Sequence, residues 1–295
     1  MIFFGFQHPS ILHHTCLFQL SNLSQRTQFF FTMKVSVASL LLLAGSSAIA
    51  SPLAARVARR NGVSRPNMRV GSKANQINDA EQSTNWAGAV LVSSGFTEVS
   101  ASFTVPDPQI PSGGDDSTQY CATAWVGIDG DTCSTAILQT GVDFCIQGGD
   151  VSYDAWYEWI PADSVDFSGI SFSAGDSVSV SVVATSTTTG TATITNNSNG
   201  QSVTHTFTSS ETTSTLCETN AEWIVEDFTL ISSSGQESLA PFANFGTVTF
   251  TDSYAVQNGN QVDASGANTI TLVDNNGNTL ASPSVDGSTV TVTYE

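Results

Sequence analysis

Positive charge is missing from most of this sequence. The chain has 295 residues, with eight Lys or Arg, 26 Asp or Glu and a formal net charge of −18. Every Lys and Arg lies at or before Lys73, and every Asp and Glu lies at or after Asp79. Because carboxyl groups titrate near pH ~4, such a domain repels itself at neutral pH and loses that repulsion in acid. The composition predicts an acid-adapted domain and argues against nucleic acid or an anionic membrane as a partner.

Side chains that serve as bases at neutral pH are also scarce. His205 is the only histidine after Lys73, and the same region offers no Lys for a Schiff base. Phosphate-cradling motifs and histidine metal clusters are missing too, so we expect no cofactor and no metal. Carboxyl and amide groups are left as the candidates for acid–base chemistry.

No apolar run is long enough to be a membrane span. The best candidate follows Lys34, covers Val35–Ala44 and ends in small residues at Ala50, which is the pattern of a secretory signal peptide. We therefore interpret residues 1–50 as an upstream leader plus a signal peptide at 33–50. The mature protein is expected to be secreted and extracellular.

Residues 51–82 differ sharply in charge from the acidic segment after them. The stretch from Ser51 to Asn78 has six basic residues and no acidic one. That composition suits a removable propeptide better than a packed element. Because it is cationic and the next domain anionic, we hypothesise that it inhibits its own enzyme near neutral pH and dissociates when carboxylates become protonated.

From residue 83 to 295 the sequence consists of short alternating runs rich in Val, Thr, Ser, Ile and Phe. Turn-forming residues separate these runs, and no segment has a helical period. The pattern predicts one all-β domain, a two-sheet sandwich or barrel, with a monomer as the default state. The clearest predicted strands are Val178–Val183, Thr191–Ile194, Val203–Phe207, Val248–Phe250, Thr269–Leu272 and Val290–Tyr294.

Four cysteines remain after the leader: Cys121, Cys133, Cys145 and Cys217. An even number in an oxidising compartment predicts two disulfides, for which three pairings are possible. Asn196 begins an Asn-Asn-Ser sequon, a candidate glycosylation site.

Acidic and aromatic residues concentrate in segments 124–131, 156–159 and 221–227. If these are strands, residues two apart share a face, so Gln139 lies with Asp143, and Glu222 with Glu226. Carboxyl groups among Trp and Tyr side chains indicate a substrate groove, because partial desolvation raises their pKa. The alternative is an ordinary solvated sheet face with scattered aromatics.

Five segments of this sequence resemble, in the same order, the signature blocks of the glutamic peptidase (eqolisin) family. They read STNWAGA at 83–89, WVGIDGDTC at 125–133, ILQTGVD at 137–143, YEW at 157–159 and EWIVED at 222–227. The resemblance extends over essentially all of residues 83–295, and five ordered blocks are far more specific than one short motif.

The resemblance implies a sandwich of two antiparallel, seven-stranded sheets of the concanavalin type. It also implies a pepstatin-insensitive endopeptidase that acts on protein or peptide substrates in acid. By block position the catalytic pair is Gln139 and Glu226, with Glu222 as the alternative to Glu226. Supporting site residues are then Trp125, Asp129, Asp143 and Glu158, and the disulfides are Cys121–Cys145 and Cys133–Cys217.

A mechanism consistent with this pair uses an ionised Glu226 in the resting site as the base that activates water. The amide of Gln139 would stabilise the oxyanion, a function that needs no particular protonation state. Two rival interpretations stay open: a glycosidase of similar architecture with Glu158 and Glu226 as its carboxyl pair, and a non-catalytic carbohydrate-binding module.

Overall fold

The computed structural model describes residues 62–71 and 81–295, which form β-strands, turns and loops without any helix. Residues 1–50, predicted to be a leader and signal peptide, and much of the basic segment lie outside the described residues. Within the described part no helix has the length and apolar character needed to cross a membrane. The strands are β1 (Gly62–Val63), β2 (Glu81–Ser83), β3 (Trp86–Val92), β4 (Phe96–Thr104), β5 (Tyr120–Ile128), β6 (Ile137–Gln147), β7 (Asp150–Ile160), β8 (Val165–Asp166), β9 (Ser177–Ser186), β10 (Thr189–Asn196), β11 (Gln201–Phe207), β12 (Asn220–Glu226), β13 (Thr229–Ile231), β14 (Glu237–Leu239), β15 (Thr247–Gln257), β16 (Asn260–Asp263), β17 (Asn268–Val273), β18 (Thr279–Asp286) and β19 (Thr289–Tyr294).

The strands form two layers that enclose one large apolar core. The first layer runs β19, β18, β17, β3, β12, β5, β6, β7 and β8, and the second runs β11, β10, β9 and β4. Alternate residues of both layers point into the core, among them Val126 and Leu138 from the first and Val180 and Ile194 from the second. The predicted antiparallel sandwich is confirmed, and all six clearest predicted strands lie in observed strands.

The strand count differs from seven per sheet, and β15 belongs to both layers. Its first half, Thr247–Phe250, pairs with β19, and its second half, from Thr251, pairs with β4. A register shift after Thr251 and a positive φ of 51° at Asp252 mark the bend between the halves. Hydrogen bonding therefore joins 16 strands into one continuous sheet, and short β2 adds a parallel pairing with β17.

Residues 62–71, which we call the strap, pack against the domain. β1 pairs antiparallel with β13, which also pairs with β14 in a small separate sheet. Val63 and Ser64 are buried. The composition predicted that this basic segment would not be a packed element, but the strap packs against the domain. It binds largely through main-chain hydrogen bonds, which the amino-acid composition does not reveal.

Both disulfides implied by the resemblance are present, Cys121–Cys145 and Cys133–Cys217. The first joins directly paired residues of β5 and β6. The second ties the loop after β5 to the loop before β12. The candidate glycosylation residue Asn196 is fully buried, and its amide donates to Ser171 O and Asp176 Oδ2, so the folded chain has no free amide there to carry a glycan.

Candidate active site

The outer face of the first layer carries three rows of side chains, and we call it the site face. Five neighbouring strands contribute, in the order β3, β12, β5, β6 and β7. Paired residues point to the same side of a sheet, so the register defines the rows. The first row is Val90, Glu222, Gly127, Gln139 and Glu158; the second is Gly88, Ile224, Trp125, Gly141 and Trp156; the third is Trp86, Glu226, Thr123, Asp143 and Asp154.

These rows bring Gln139, Asp143, Glu222 and Glu226 onto one face, as the alternation predicts. Gln139 lies in the row of Glu222, separated from it only by Gly127, whereas Glu226 lies two rows further along. The polar side chains of the first and third rows are separated by an apolar cluster that includes Trp86, Trp125, Trp156 and Ile224.

Trp125 lies at the centre of the site face and is held by glycines on both sides. A Cβ at Gly141 would lie 2.5 Å from the Cβ of Trp125, and one at Gly127 would lie 2.9 Å from its ring. Since real Cβ atoms do not approach so closely, any larger residue at either position would displace the indole. The indole packs edge-on against Trp86, with ring centroids 4.9 Å apart.

Glu226 is fully buried at the end of β12 and accepts two hydrogen bonds. The Trp125 Nε1–H donates to its Oε2 at 2.9 Å, and the Arg65 N–H of the strap donates to its Oε1 at 3.1 Å. Burial raises the pKa of Glu226 to about 7, although both hydrogen bonds oppose that shift. In this strap-covered form the raised pKa favours the protonated Glu226 in acid.

Gln139 is fully buried, and its Nε2 donates to Glu158 Oε2 at 2.7 Å. Glu158, directly opposite on β7, therefore fixes the direction of the amide. The Gln139 Oε1 accepts no hydrogen bond. Asp143 lies at the other end of the same strand face and pairs with Thr123, in the row of Glu226.

Glu222 is as buried as Glu226 but lacks comparable donors. Neither of its carboxyl oxygens accepts a well-formed hydrogen bond. Burial, with repulsion from Asp131 and Asp129, raises the pKa of Glu222 well above its ordinary value, and the Asp131 main chain offsets only part of this. Burial therefore favours the neutral form of Glu222.

Asp129 anchors a loop. Its carboxylate accepts hydrogen bonds from the main-chain N–H groups of Cys217, Glu218, Thr219 and Asn220, at 2.7–3.2 Å. Both Asp129 and Glu218 have positive φ, 68° and 57°, which brings the two loops together. Asp129 therefore positions the start of β12 and, through it, the two glutamates of that strand.

The strap crosses the site face lengthwise. It leaves β13, passes Glu226 at Arg65, and continues to Gly130 O, which accepts from the Asn67 N–H at 3.1 Å. Beyond that point Arg69 forms ion pairs with Asp131 and Glu81, both at 2.6 Å.

Asn85 binds the strap midway. Its Nδ2 donates to the carbonyls of Arg65 and Pro66, both at 3.2 Å, and its Oδ1 accepts from the Met68 N–H at 2.8 Å. Sequence reasoning missed Asn85, although it lies in the STNWAGA block next to Trp86.

A family model described as the Peptidase A4 family matches residues 84–294. The chain belongs to this family. Among curated A4 relatives, aspergillopepsin-2 of Aspergillus niger is 48% identical over 236 residues, which are 75% of this chain and 81% of that protein. Scytalidopepsin B of Scytalidium lignicola is 45% identical over 271 residues, 89% of this chain and 100% of that protein.

Solved A4 structures agree with the fold. Scytalido-glutamic peptidase, determined with a peptide-based transition-state analog, matches with a TM-score of 0.65 at 45% identity, over 72% of this chain and 98% of that chain. The chain is thus a glutamic endopeptidase of the A4 family and acts on proteins or peptides, and the glycosidase interpretation is not favoured. Its two disulfides fit an extracellular protein.

Proposed function

We propose that this A4 peptidase is a secreted, monomeric enzyme that cleaves proteins in acid with Gln139 and Glu226 as its catalytic pair. Residues 83–295 form the catalytic domain, and residues 51–82 are a propeptide that inhibits it. The observation that carries the proposal is a peptide group at Glu226: the Arg65 N–H donates to Oε1 of a fully buried carboxyl. Glu226 therefore lies where a peptide nitrogen can exchange a proton with it.

Hydrolysis then follows from the chemistry of these groups. Once the strap leaves, water reaches Glu226, and its pKa falls toward the ordinary carboxyl range because burial was the largest cause of the increase. The ionised carboxylate takes a proton from water as that water attacks the scissile carbonyl, and the new acid donates the proton to the leaving nitrogen. Trp125 orients the carboxylate through its indole N–H.

Gln139 supports the charge that develops on the carbonyl oxygen. Its amide donates hydrogen bonds at any pH, and one such donor is worth about 3 kcal/mol in the transition state. The hydrogen bond from Gln139 Nε2 to Glu158 fixes the orientation of the amide. Gln139 lies in the row of Glu222, which makes Glu222 the alternative partner.

A substrate comparison tests this function. Acid-matured protein is incubated near pH ~3.5 with a denatured protein, with and without pepstatin, and separately with a soluble β-glucan. We expect peptide products in both protein samples and no reducing sugar from the glucan. Sugar release without peptide products would instead support a glycosidase.

Inhibition by the propeptide is supported by the course of the strap, which covers Glu226. Its ion pair with Glu81 is sensitive to acid, because protonation of Glu81 removes that partner of Arg69. Burial and the nearby Asp131 raise the pKa of Glu81, so it accepts a proton early as pH falls. Acid therefore loosens the far end of the strap.

Maturation of the purified full chain tests this inhibition. We expect much faster release of activity near pH ~3.5 than at pH ~7. Arg69→Gln should mature at a higher pH than wild type, whereas Arg56→Gln, which removes the same charge elsewhere in the basic segment, should not. Equal maturation rates at both pH values in wild type would contradict the proposal.

A further inference from the structure

Asn85 recognises peptide backbone. Its three hydrogen bonds to the strap involve only main-chain atoms, the carbonyls of residues 65 and 66 and the N–H of residue 68. A fourth, from the Ser83 hydroxyl to Oδ1 at 2.8 Å, uses the remaining capacity of the amide and fixes its orientation. Such a contact set does not depend on the side chains of the bound peptide.

The position of Asn85 relative to Glu226 is fixed by the main chain. The Asp227 N–H donates to the Asn85 carbonyl at 2.8 Å, so the residue after Glu226 is bonded to the residue that holds the peptide. Asn85 is fully buried, and the Ser83 hydroxyl also accepts from the Asn85 and Trp86 N–H groups, at 3.2 and 3.1 Å. The amide is therefore pre-organised, with a constant spacing from Glu226.

The strap also sets a register. The nitrogen of the Ser64–Arg65 peptide bond lies at Glu226, where a leaving nitrogen must lie for Glu226 to protonate it. Counted from that nitrogen, Asn85 binds the first, second and fourth residues. When the strap leaves, the same three hydrogen-bonding positions open beside the catalytic carboxyl.

From this geometry we infer that Asn85 is a substrate-positioning residue, which binds the main chain of the leaving half of the peptide at the first, second and fourth residues after the scissile bond. The inference rests on the proposed role of Glu226. An amide has no proton to gain or lose in acid, so this clamp is effective at a pH where carboxylate contacts weaken. Because the contacts are to main-chain atoms, we expect them to increase kcat/KM for longer substrates without selecting particular side chains.

Two matched peptides test the inference on the acid-matured enzyme. Both share the sequence before the scissile bond; one ends one residue after it, and the other continues for five. Wild type should cleave the longer peptide with the higher kcat/KM. Asn85→Ala should lose about 10–100-fold on the longer peptide, mainly in KM, which corresponds to two or three lost hydrogen bonds. Its loss on the shorter peptide should be about fivefold or less, because that peptide can make only the contact to the first residue.

Two further variants separate positioning from folding. Asn85→Asp retains the acceptor oxygen and loses the NH₂ group, so its length-dependent loss should be intermediate. Asn244→Ala, which removes an amide that accepts a hydrogen bond from the nearby Gly246 N–H, should behave like wild type on both peptides. Equal losses on the two peptides, or no loss on the longer one, would overturn the clamp alone. If wild type cleaves neither peptide, the proposed function falls and the clamp with it.

Discussion

Two glutamates on one strand show how differently the two ends of the site face treat a carboxyl group. Glu222 and Glu226 are four residues apart on β12, face the same way and are fully buried. Glu226 accepts hydrogen bonds from an indole and a peptide N–H, whereas Glu222 has carboxylates as neighbours and no well-formed donor. Residue type and burial are the same for both, so the two ends of the site face differ in the donors and charges around the carboxyl group.

The largest expected effect separates these two carboxyl groups directly. Glu226→Gln should lower kcat on a denatured protein substrate by about 10³-fold or more, because the group that transfers the proton is lost. Glu222→Gln should lower kcat less than about tenfold. Burial favours the protonated acid at this position, and the amide of Gln has nearly the same shape as that acid. Both variants are compared as matured enzymes near pH ~3.5. The opposite order would assign catalysis to Glu222, the row neighbour of Gln139.

Removing the amide should produce the next largest effect. Gln139→Ala is expected to reduce kcat by about 10²–10³-fold with little change in KM, because the lost donor acts on the transition state. Steady-state kinetics with one peptide substrate measure both parameters. A rise in KM alone would show that Gln139 binds substrate without supporting the oxyanion. Gln139 would then not be a member of the catalytic pair.

Much of the site face can be derived from strand alternation. Gln139 with Asp143 and Glu222 with Glu226 share a face because side chains of a strand alternate strictly, and the surrounding Trp residues mark that face as partly desolvated. The strap contacts could not be predicted, since Asn85 binds main-chain atoms about 20 residues away and a basic composition says nothing of hydrogen-bonding partners. The anchoring role of Asp129 also escaped, because it depends on positive φ at Asp129 and Glu218.

The same buried carboxyl groups should make stability fall as pH rises. Burial raises the pKa of Asp227 well above its ordinary value, with added repulsion from Glu226, and Glu222 behaves alike. A native pKa above the unfolded one means that the native state binds more protons, so stability is full below pH ~4 and decreases as pH rises. For Glu226, with a pKa of about 7, the loss is roughly 3 kcal/mol between pH ~4.5 and 7.

Urea unfolding of a full-length Gln139→Ala protein, which avoids self-digestion, measures this loss. Adding Glu222→Gln should flatten the pH dependence, since one buried titrating group is gone. Adding Asp286→Asn, at an exposed turn, should leave the slope unchanged. A free energy of unfolding that rises between pH ~4.5 and 7 would contradict the assigned direction of these pKa shifts.

A smaller effect than at Gln139 is expected at Glu158, which lies in the Glu222 row and hydrogen-bonds the Gln139 amide. Glu158→Gln keeps the shape of the side chain and replaces one carboxyl oxygen by an NH₂ group that cannot accept a hydrogen bond, so Gln139 is held less firmly. We expect kcat to fall about tenfold with KM unchanged, and no further loss when Glu158→Gln is added to Gln139→Ala, because the amide is then already absent. Kinetics of the two single variants and the double variant form the test. Abolished activity in Glu158→Gln alone would mean that this carboxyl transfers protons itself. The carboxyl groups to compare across the site face would then be Glu158 and Glu226, in place of Glu222 and Glu226.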